Sequence, residues 1–317
     1  MEYTDLGRSG LSVSRLVLGT LNFGWNTQEG DAHALMDRAH EHGINFFDTA
    51  NVYGGNGGTE TIIGNWFAAG GERRTKTVLA TKFYGNMGEW PNQGRLSALN
   101  IRRACEASLK RLRTDYIDIY QMHHVDRATP FEEIWEAMDV LRLQGKIVYT
   151  GSSNFAAWHI VKGQETAKRR NCYGLVSEQS CYNLLNRTVE LEVLPACQDY
   201  GVGMIPWSPL GGGLLGGILR RESLRAPIIA PELDKHRSAI AEYESLCDEL
   251  GDAPATVALA WLLAQPGVTG PIIGPRTVAH MDASLRALEI ELEEKTLQRL
   301  DQIFPGPGGP APEAYTW

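Results

Sequence analysis

Short apolar runs alternate along this chain with segments of helical spacing, and this alternation limits the fold more than any other feature. Between the runs, apolar residues recur at one face of a 3.6-residue period, as in Ile101, Cys105, Leu109 and Leu112. Strands that are apolar throughout belong in a parallel sheet covered by helices. Eight runs are predicted strands: Leu16 to Leu18, Ile44 to Phe47, Val78 to Ala80, Tyr116 to Met122, Ile147 to Tyr149, Leu175 to Ser177, Gly203 to Pro206 and Gly270 to Ile273.

Eight strand–helix units in about 250 residues or a little more are the size of a closed (β/α)₈ barrel, the TIM barrel. The alternative is an open doubly wound sheet, whose first turn carries the motif G-x-G-x-x-G. Residues 19–24 read Gly-Thr-Leu-Asn-Phe-Gly and lack the middle glycine. We therefore predict an α/β chain folded as one barrel domain over residues 1–317.

Some segments stand outside the eight-fold pattern. Residues 3–15 predict a β-hairpin that plugs the bottom of the barrel, and residues 217–252 form a long insertion after the seventh strand. The Pro- and Gly-rich tail, 305–317, is predicted to be irregular, with Tyr315 and Trp317 as candidates to fold back onto the active face.

One helix has clear boundary signals. Thr129 and Glu132 have the spacing of a capping box, with Pro130 at the first helical position. Gly145 stands where a helix is expected to stop. These signals predict a helix from Phe131 to Gln144.

Charge and cysteine content exclude several classes of partner. The 317 residues contain 30 Lys and Arg against 38 Asp and Glu, a net charge of −8, and no basic run. An acidic surface repels phosphate backbones and anionic lipids, so we expect a small-molecule partner rather than nucleic acid or membrane. The five cysteines lack metal-site spacing, which predicts a protein without a metal. Residues 1–10 are polar and do not resemble a secretory signal, which predicts a cytoplasmic protein. Homo-oligomer formation stays open.

Four polar side chains are placed to do chemistry at predicted strand ends, where active sites of such barrels lie. Asp48 ends the second strand, Lys82 the third and His123 the fourth, while Tyr53 follows five residues after Asp48. A lysine ammonium lowers the pKa of a nearby phenol, a carboxylate keeps that lysine charged, and a neutral imidazole orients a carbonyl oxygen. The set predicts a proton donor aimed at a carbonyl group.

The segments that carry these side chains resemble the aldo-keto reductases. They read Gly-Ile-Asn-Phe-Phe-Asp-Thr-Ala-Asn-Val-Tyr-Gly at 43–54, Ala-Thr-Lys at 80–82 and Tyr-Ile-Asp-Ile-Tyr-Gln-Met-His at 116–123. The pattern is most similar to the branch of potassium-channel β subunits and bacterial reductases, some of which act on nucleotide-linked deoxysugars. The resemblance implies Tyr53 as general acid, with Lys82 and Asp48 tuning it and His123 orienting the carbonyl.

The resemblance also implies a nicotinamide cofactor across the barrel mouth, NADPH in preference to NADH, with NADH left open. Ser153, Asn154 and Gln179 would hold the carboxamide, and Trp207 would stack on the nicotinamide ring. Arg276 would meet the ribose 2′-phosphate, although His280 and Ser284 stand where the family often has Gln or Arg and then Asn. The full predicted set is Gly19, Thr20, Leu21, Asp48, Ser153, Asn154, Gln179, Trp207, Ser208, Pro209, Leu210, Gly212, Leu214, Gly274, Arg276, His280 and Ser284.

Five side chains just beyond the strand ends are candidates for a substrate pocket, namely Phe23, Trp25, Tyr84, Trp90 and His124. Together with the catalytic set they predict a carbonyl reductase acting on an aldehyde or a ketone, and the resemblance to the branch that includes deoxysugar reductases implies a ketosugar or enone-sugar as a further substrate class. Two alternatives stay open. In the first, the chain is a nucleotide-binding regulatory or redox-sensing subunit with little turnover. In the second, it is a Schiff-base aldolase that uses Lys82.

Overall fold

A computed structural model describes residues 1–220 and 226–311 of the chain. Its eight-stranded sheet is parallel throughout and runs in the order β10-β3-β4-β5-β6-β7-β8-β9. Each of these strands overlaps one of the eight predicted runs. The strands are β1 (Tyr3–Asp5), β2 (Ser12–Ser14), β3 (Val17–Gly19), β4 (Phe46–Asp48), β5 (Val78–Phe83), β6 (Ile117–Met122), β7 (Ile147–Ser153), β8 (Leu175–Gln179), β9 (Gly203–Met204) and β10 (Ile272–Ile273).

The sheet closes on itself where its first and last strands meet. The backbone N–H of Thr269 donates to the carbonyl of Met204 at 2.8 Å, and that of Ile272 donates to the carbonyl of Pro206 at 2.9 Å. These bonds join the β9 side to the β10 side, so the predicted (β/α)₈ barrel is confirmed and the open sheet is not formed.

Helices cover the outside of the barrel. They are α1 (Glu29–Glu41), α2 (Tyr53–Asn56), α3 (Gly58–Ala68), α4 (Ala98–Leu112), α5 (Phe131–Leu143), α6 (Ala157–Arg169), α7 (Val193–Tyr200), α8 (Ala226–Leu250), α9 (Pro254–Ala264), α10 (Val278–Leu285) and α11 (Glu294–Ile303). Helix α8 accounts for most of the predicted insertion. None of the helices in the described part of the chain has the length and apolar character that crossing a membrane requires.

Helix α5 begins at Phe131, as predicted, and ends at Leu143, one residue before the predicted end, but its N-terminal cap differs from the prediction. Pro130 is the N-cap residue and not the first helical residue. Thr129 does not cap the helix, because its hydroxyl donates to the Asp126 carboxylate at 2.8 Å in the preceding loop. Gly145 follows the helix with φ +71°, the left-handed conformation expected at a helix end.

The N-terminal hairpin β1–β2 closes the bottom of the barrel, as predicted. Leu6 and Val13 are fully buried and pack against inward-facing strand residues. Gly7 makes this approach sterically feasible, because its φ is +57° and a Cβ there would lie 2.4 Å from the carbonyl oxygen of Gly201. The strand residues of this inner cluster are Val17, Phe46, Ala80, Ile119, Val176 and Ile205.

The described part of the C-terminal tail follows α11 without further regular structure. Residues 305–311 form neither helix nor strand, in agreement with the prediction for that part of the tail. Tyr315 and Trp317, the candidates to fold back onto the active face, lie outside the described residues.

Candidate active site

The catalytic set is built on a buried ion pair between β4 and β5. The ammonium of Lys82 lies 2.7 Å from Oδ2 of Asp48 and donates a second hydrogen bond to the carbonyl of Thr49 at 2.9 Å. Lys82 has no exposed surface. Its burial alone would lower its pKa, but Asp48 and Tyr53 outweigh this effect and the pKa is raised. Lys82 therefore stays protonated at neutral pH.

Tyr53 reaches this pair from the loop that follows β4. The loop continues along β5, with the backbone N–H of Thr49 donating to the Ala80 carbonyl and that of Asn51 donating to the Lys82 carbonyl, both at 2.9 Å. Tyr53 then begins the single turn α2. Its hydroxyl oxygen accepts a hydrogen bond from the Lys82 ammonium at 3.4 Å.

The pKa of Tyr53 does not move in the predicted direction. Burial raises it above the ordinary value for a phenol, and the nearby Asp48 charge adds to that rise. Lys82 does lower it, as expected, but by less than burial raises it. The prediction of a lowered pKa is therefore wrong, since it considered the neighbouring charge and omitted desolvation. The phenol keeps its proton at neutral pH and can donate it.

His123 follows β6 and faces Tyr53 across the mouth. The two rings meet edge to face with their centroids 6.0 Å apart. Its backbone N–H donates to the carbonyl of Phe83 at 3.0 Å, which ties the residue to β5. Burial, together with the charge of Lys82, lowers the pKa of His123 to about 3. The imidazole is therefore neutral at physiological pH, as predicted.

Two amides hold the other oxygen of Asp48. Its Oδ1 accepts a hydrogen bond from Nε2 of Gln179 at 2.8 Å and one from Nε2 of Gln121 at 3.3 Å. Sequence reasoning missed Gln121. Its position could have indicated an inward-facing side chain, because Gln121 stands two residues before His123 and alternate residues of a strand face the same side.

The residues predicted to hold a carboxamide are linked to one another at the ends of β7 and β8. Asn154 has φ +60°, and its amide nitrogen donates to the His123 carbonyl at 3.2 Å. Its amide oxygen accepts a hydrogen bond from the indole of Trp207 at 3.0 Å. The hydroxyl of Ser153 donates to the Gln179 carbonyl at 2.8 Å. These side chains thus form one connected wall beside the catalytic set.

The buried side chain of Glu178 lies behind this wall and supports it. Sequence reasoning missed this residue as well. Glu178 accepts hydrogen bonds from the backbone N–H of Phe155 at 3.0 Å and from the hydroxyl of Ser180 at 2.7 Å. Burial raises the pKa of Glu178 to about 7. The side chain packs outside the barrel wall, because its neighbour Gln179 faces inward.

A cavity of about 1180 Å³ runs from Tyr53 and His123 across the mouth to α10. Every predicted cofactor residue except Leu214 lines it. Leu214 is buried, and Gly213, Gly216 and Gly217 line the cavity instead. The predicted residues in its wall are Gly19, Thr20, Leu21, Asp48, Ser153, Asn154, Gln179, Trp207, Ser208, Pro209, Leu210, Gly212, Gly274, Arg276, His280 and Ser284.

The far end of the cavity carries an arginine. Arg276 lies just before α10, whose first turn is capped by the Thr277 hydroxyl accepting the His280 N–H at 3.2 Å. Among the described residues, Arg276 has neither a hydrogen-bond nor an ion-pair partner. Asp248 and Asp252 also line this end. Both belong to the predicted insertion, residues 217–252, where no motif signalled a site.

The five residues predicted to form the substrate pocket lie in different surroundings. Of these five residues only His124 lines the cavity. Phe23 is fully buried in the core, and its carbonyl accepts the Thr59 hydroxyl at 2.9 Å. Trp25 and Trp90 are exposed by 75% and 78% and stand outside the cavity wall. Tyr84 also lies outside the wall, with its ring centroid 5.5 Å from that of His124.

With this geometry established, comparison with known proteins identifies the family. The sequence profile described as the Aldo/keto reductase family matches residues 15–304. The chain belongs to the aldo-keto reductase family. A relative from Bacillus subtilis (strain 168), "Uncharacterized oxidoreductase YrpG", is 54% identical over the whole of both chains. "Versiconal hemiacetal acetate reductase" of Aspergillus parasiticus is 33% identical, over 96% of this chain and 97% of its own.

The predicted branch of the aldo-keto reductases is confirmed as well. "Probable voltage-gated potassium channel subunit beta" of Arabidopsis thaliana is 33% identical, over 96% of this chain and 97% of its own. The chain is accordingly an NAD(P)H-dependent oxidoreductase. The cavity fits such a dinucleotide, since it exceeds the roughly 300–1,000 Å³ of ordinary small-molecule sites and ends at the Arg276 guanidinium, which no described residue pairs.

Proposed function

We propose that this aldo-keto reductase uses NADPH to reduce an aldehyde, a ketone, or a ketosugar or enone-sugar carbonyl. One observation carries the proposal: the hydroxyl of Tyr53, in the cavity wall, lies 3.4 Å from the buried Lys82 ammonium. Relatives named as reductases support the direction of the reaction. The bound nicotinamide would supply the hydride that reaches the carbonyl carbon.

In this proposal the chain supplies the proton and the orientation. Tyr53, protonated because burial raises its pKa, donates its hydroxyl proton to the carbonyl oxygen as negative charge develops there. Neutral His123 donates a hydrogen bond to the same oxygen. Lys82 stabilises the phenolate left behind, and Asp48 keeps Lys82 in place. Ser153, Asn154 and Gln179 would hold the carboxamide, and the exposed face of Trp207 would pack on the ring.

Replacing the phenol tests this assignment directly. Tyr53→Phe removes the proton donor and leaves the ring, so we expect kcat for aldehyde reduction to fall by at least about 100-fold. NADPH affinity, measured by fluorescence titration, should stay within about twofold. Lys82→Met should also lower kcat, because the phenolate would lose its nearby cation. A Tyr53→Phe variant with wild-type kcat refutes the proposal.

The preference for NADPH depends on Arg276, which lines the cavity, has no partner in the part of the chain that the structure describes, and suits a phosphate at a helix N-terminus. Arg276→Ala should raise the Kd for NADPH by about tenfold or more, the equivalent of one charge-assisted hydrogen bond, and leave the Kd for NADH unchanged. Arg286→Ala is a matched control, because that guanidinium is already paired with Asp252 and Glu289. Equal effects on both nucleotides would contradict the assignment.

The regulatory alternative is favoured by the relatives named as probable channel β subunits. It predicts tight NADPH binding without multiple turnover on a panel of carbonyl compounds, whereas a reductase turns over at least one of them. The aldolase alternative finds no support in the structure. Lys82 is fully buried, paired with Asp48, and outside the cavity wall, so its amine is not available to attack a carbonyl.

A further inference from the structure

A chain of hydrogen bonds enters the barrel behind the catalytic set and ends at the phenol. The hydroxyl of Ser177 donates to Oε1 of Gln121 at 3.4 Å, and Nε2 of Gln121 donates to Oδ1 of Asp48 at 3.3 Å. Oδ2 of Asp48 accepts the Lys82 ammonium, which in turn donates to Tyr53. Gln121 and Ser177 have no exposed surface. These hydrogen bonds therefore lie inside the barrel, away from its solvent-exposed surface.

The barrel leaves room for this contact at one glycine. Gln121 pairs with Gly151 across β6 and β7, and Gly151 pairs with Ser177 across β7 and β8. A Cβ at Gly151 would lie 2.4 Å from the Ser177 hydroxyl and 3.0 Å from Oε1 of Gln121. Because the middle strand has no side chain at this point, Gln121 reaches Ser177 across it. Ser177 in turn orients the amide so that its nitrogen faces Asp48.

The two amides that hold Asp48 differ in their access to a ligand. Gln179 lines the cavity, and its proposed partner there is the cofactor carboxamide. Gln121 is buried and does not line the cavity. Of the two amides that donate to Asp48, Gln121 is thus the one that a ligand in the cavity would not contact.

We propose that Gln121, oriented by Ser177, is a positioning residue that keeps the Asp48 carboxylate turned toward Lys82 and so sets the strength of Tyr53 as an acid. This inference rests on the proposed function of Tyr53. Without the amide, Asp48 loses a hydrogen bond in a site of low dielectric constant, and its charge is less neutralised. A less neutralised Asp48 makes the phenol a weaker acid, because a nearby anion disfavours the phenolate.

Gln121→Met is the decisive variant, since it keeps the length of the side chain and removes the amide. The full-length protein is assayed with NADPH and 4-nitrobenzaldehyde as the first carbonyl probe. We expect kcat to fall by about tenfold, the equivalent of one hydrogen bond to a charged group, while KM for NADPH stays within about twofold. The basic limb of the pH–rate profile, where the phenol ionises, should move to higher pH.

Two further variants separate positioning from a merely structural role. Gln121→Glu introduces a carboxyl that donates to Asp48 only when protonated, so activity should recover toward wild type at low pH and fall as that carboxyl ionises. Ser177→Ala should shift kcat and the basic limb in the same direction by a smaller amount. Its effect should not add to that of Gln121→Met, because both act on one contact.

Gln179→Met is the comparison for a residue that contacts the ligand, and it should raise KM for NADPH. The inference is overturned if Gln121→Met keeps the wild-type kcat and pH profile, or if its KM for NADPH rises in parallel with the loss of kcat. If Gln121→Met does not fold, Ser177→Ala decides by the same two criteria. Failure of the proposed function would be recognised by a different variant. If Tyr53 is not the proton donor, Tyr53→Phe keeps its activity although Gln121 is unchanged.

Discussion

At the scale of single residues, burial keeps the two cavity-facing acid–base groups uncharged. It raises the pKa of Tyr53 and lowers that of His123 to about 3, since a charge is costly where water is excluded. Lys82 stays charged in spite of its burial, because Oδ2 of Asp48 lies 2.7 Å from its ammonium nitrogen. The site therefore holds one buried ion pair beside two neutral hydrogen-bond donors, which suits the polarisation and protonation of a carbonyl oxygen.

The directions of the pKa shifts of Tyr53 and His123 predict the pH dependence of the rate. In the proposed mechanism, reduction needs a protonated Tyr53 and a neutral His123, so kcat/KM should stay flat between about pH 5 and pH 9. Activity should fall at higher pH as the phenol ionises, and at lower pH as the imidazole approaches its pKa of about 3. The check is a pH–rate profile at saturating NADPH. An acid limb near pH 6.5 that disappears in His123→Asn would show that burial does not shift this histidine.

At the scale of elements, the short loop between β4 and α3 decides where the phenol points. Gly54, next to Tyr53, has φ +64°, and a Cβ there would lie 2.6 Å from the backbone nitrogen of Thr59. Gly55 has φ +74° but opens onto free space. The two glycines therefore share the left-handed conformation and differ in steric room.

This difference gives a matched pair of variants. Gly54→Ala should lower the free energy of unfolding by about 1–3 kcal/mol and kcat by about tenfold, because the clash displaces the Tyr53 turn. Gly55→Ala should cost about 1–2 kcal/mol from backbone strain and leave kcat near wild type. Urea denaturation and steady-state assays measure both. Equal loss of kcat in the two variants would mean that the close approach to Thr59 does not position Tyr53.

At the scale of the whole molecule, the barrel separates stability from chemistry. The hairpin cluster around Leu6 and Val13 lies at the bottom, and the cavity opens at the opposite end, where the strands finish. We therefore expect that packing at one end can change without moving the side chains at the other, since the strands between them are held by a continuous parallel ladder.

Leu6→Ala tests this separation. The variant leaves a void in the lower cluster and should reduce the free energy of unfolding by about 2–5 kcal/mol. Its kcat at 25 °C should equal that of the wild type as long as the protein is folded. Val148→Ala, at a 45% exposed position near the start of β7, should change stability by less than about 0.5 kcal/mol. A loss of kcat in folded Leu6→Ala would show that the two ends are coupled.

The sequence by itself determined the barrel and located the four side chains proposed to be catalytic. Hydrophobic period is local information, so each strand could be located from its own neighbours, and Asp48, Lys82 and His123 then followed as strand-end residues. The wall proposed to hold the cofactor was predicted from the resemblance to the aldo-keto reductases. Its residues lie in short segments directly after strands, and a closed barrel brings all such segments to one mouth.

Only the tertiary structure decided which loop side chains face the cavity and how burial changes their chemistry. Phe23 and Trp25 are two residues apart in one loop, yet one is fully buried and the other largely exposed. The pKa of Tyr53 rises because distant elements exclude water around it, and Gln121 meets Asp48 across 73 residues of chain. Desolvation and contacts between remote strands are sums over the whole packed molecule, and no local pattern encodes them.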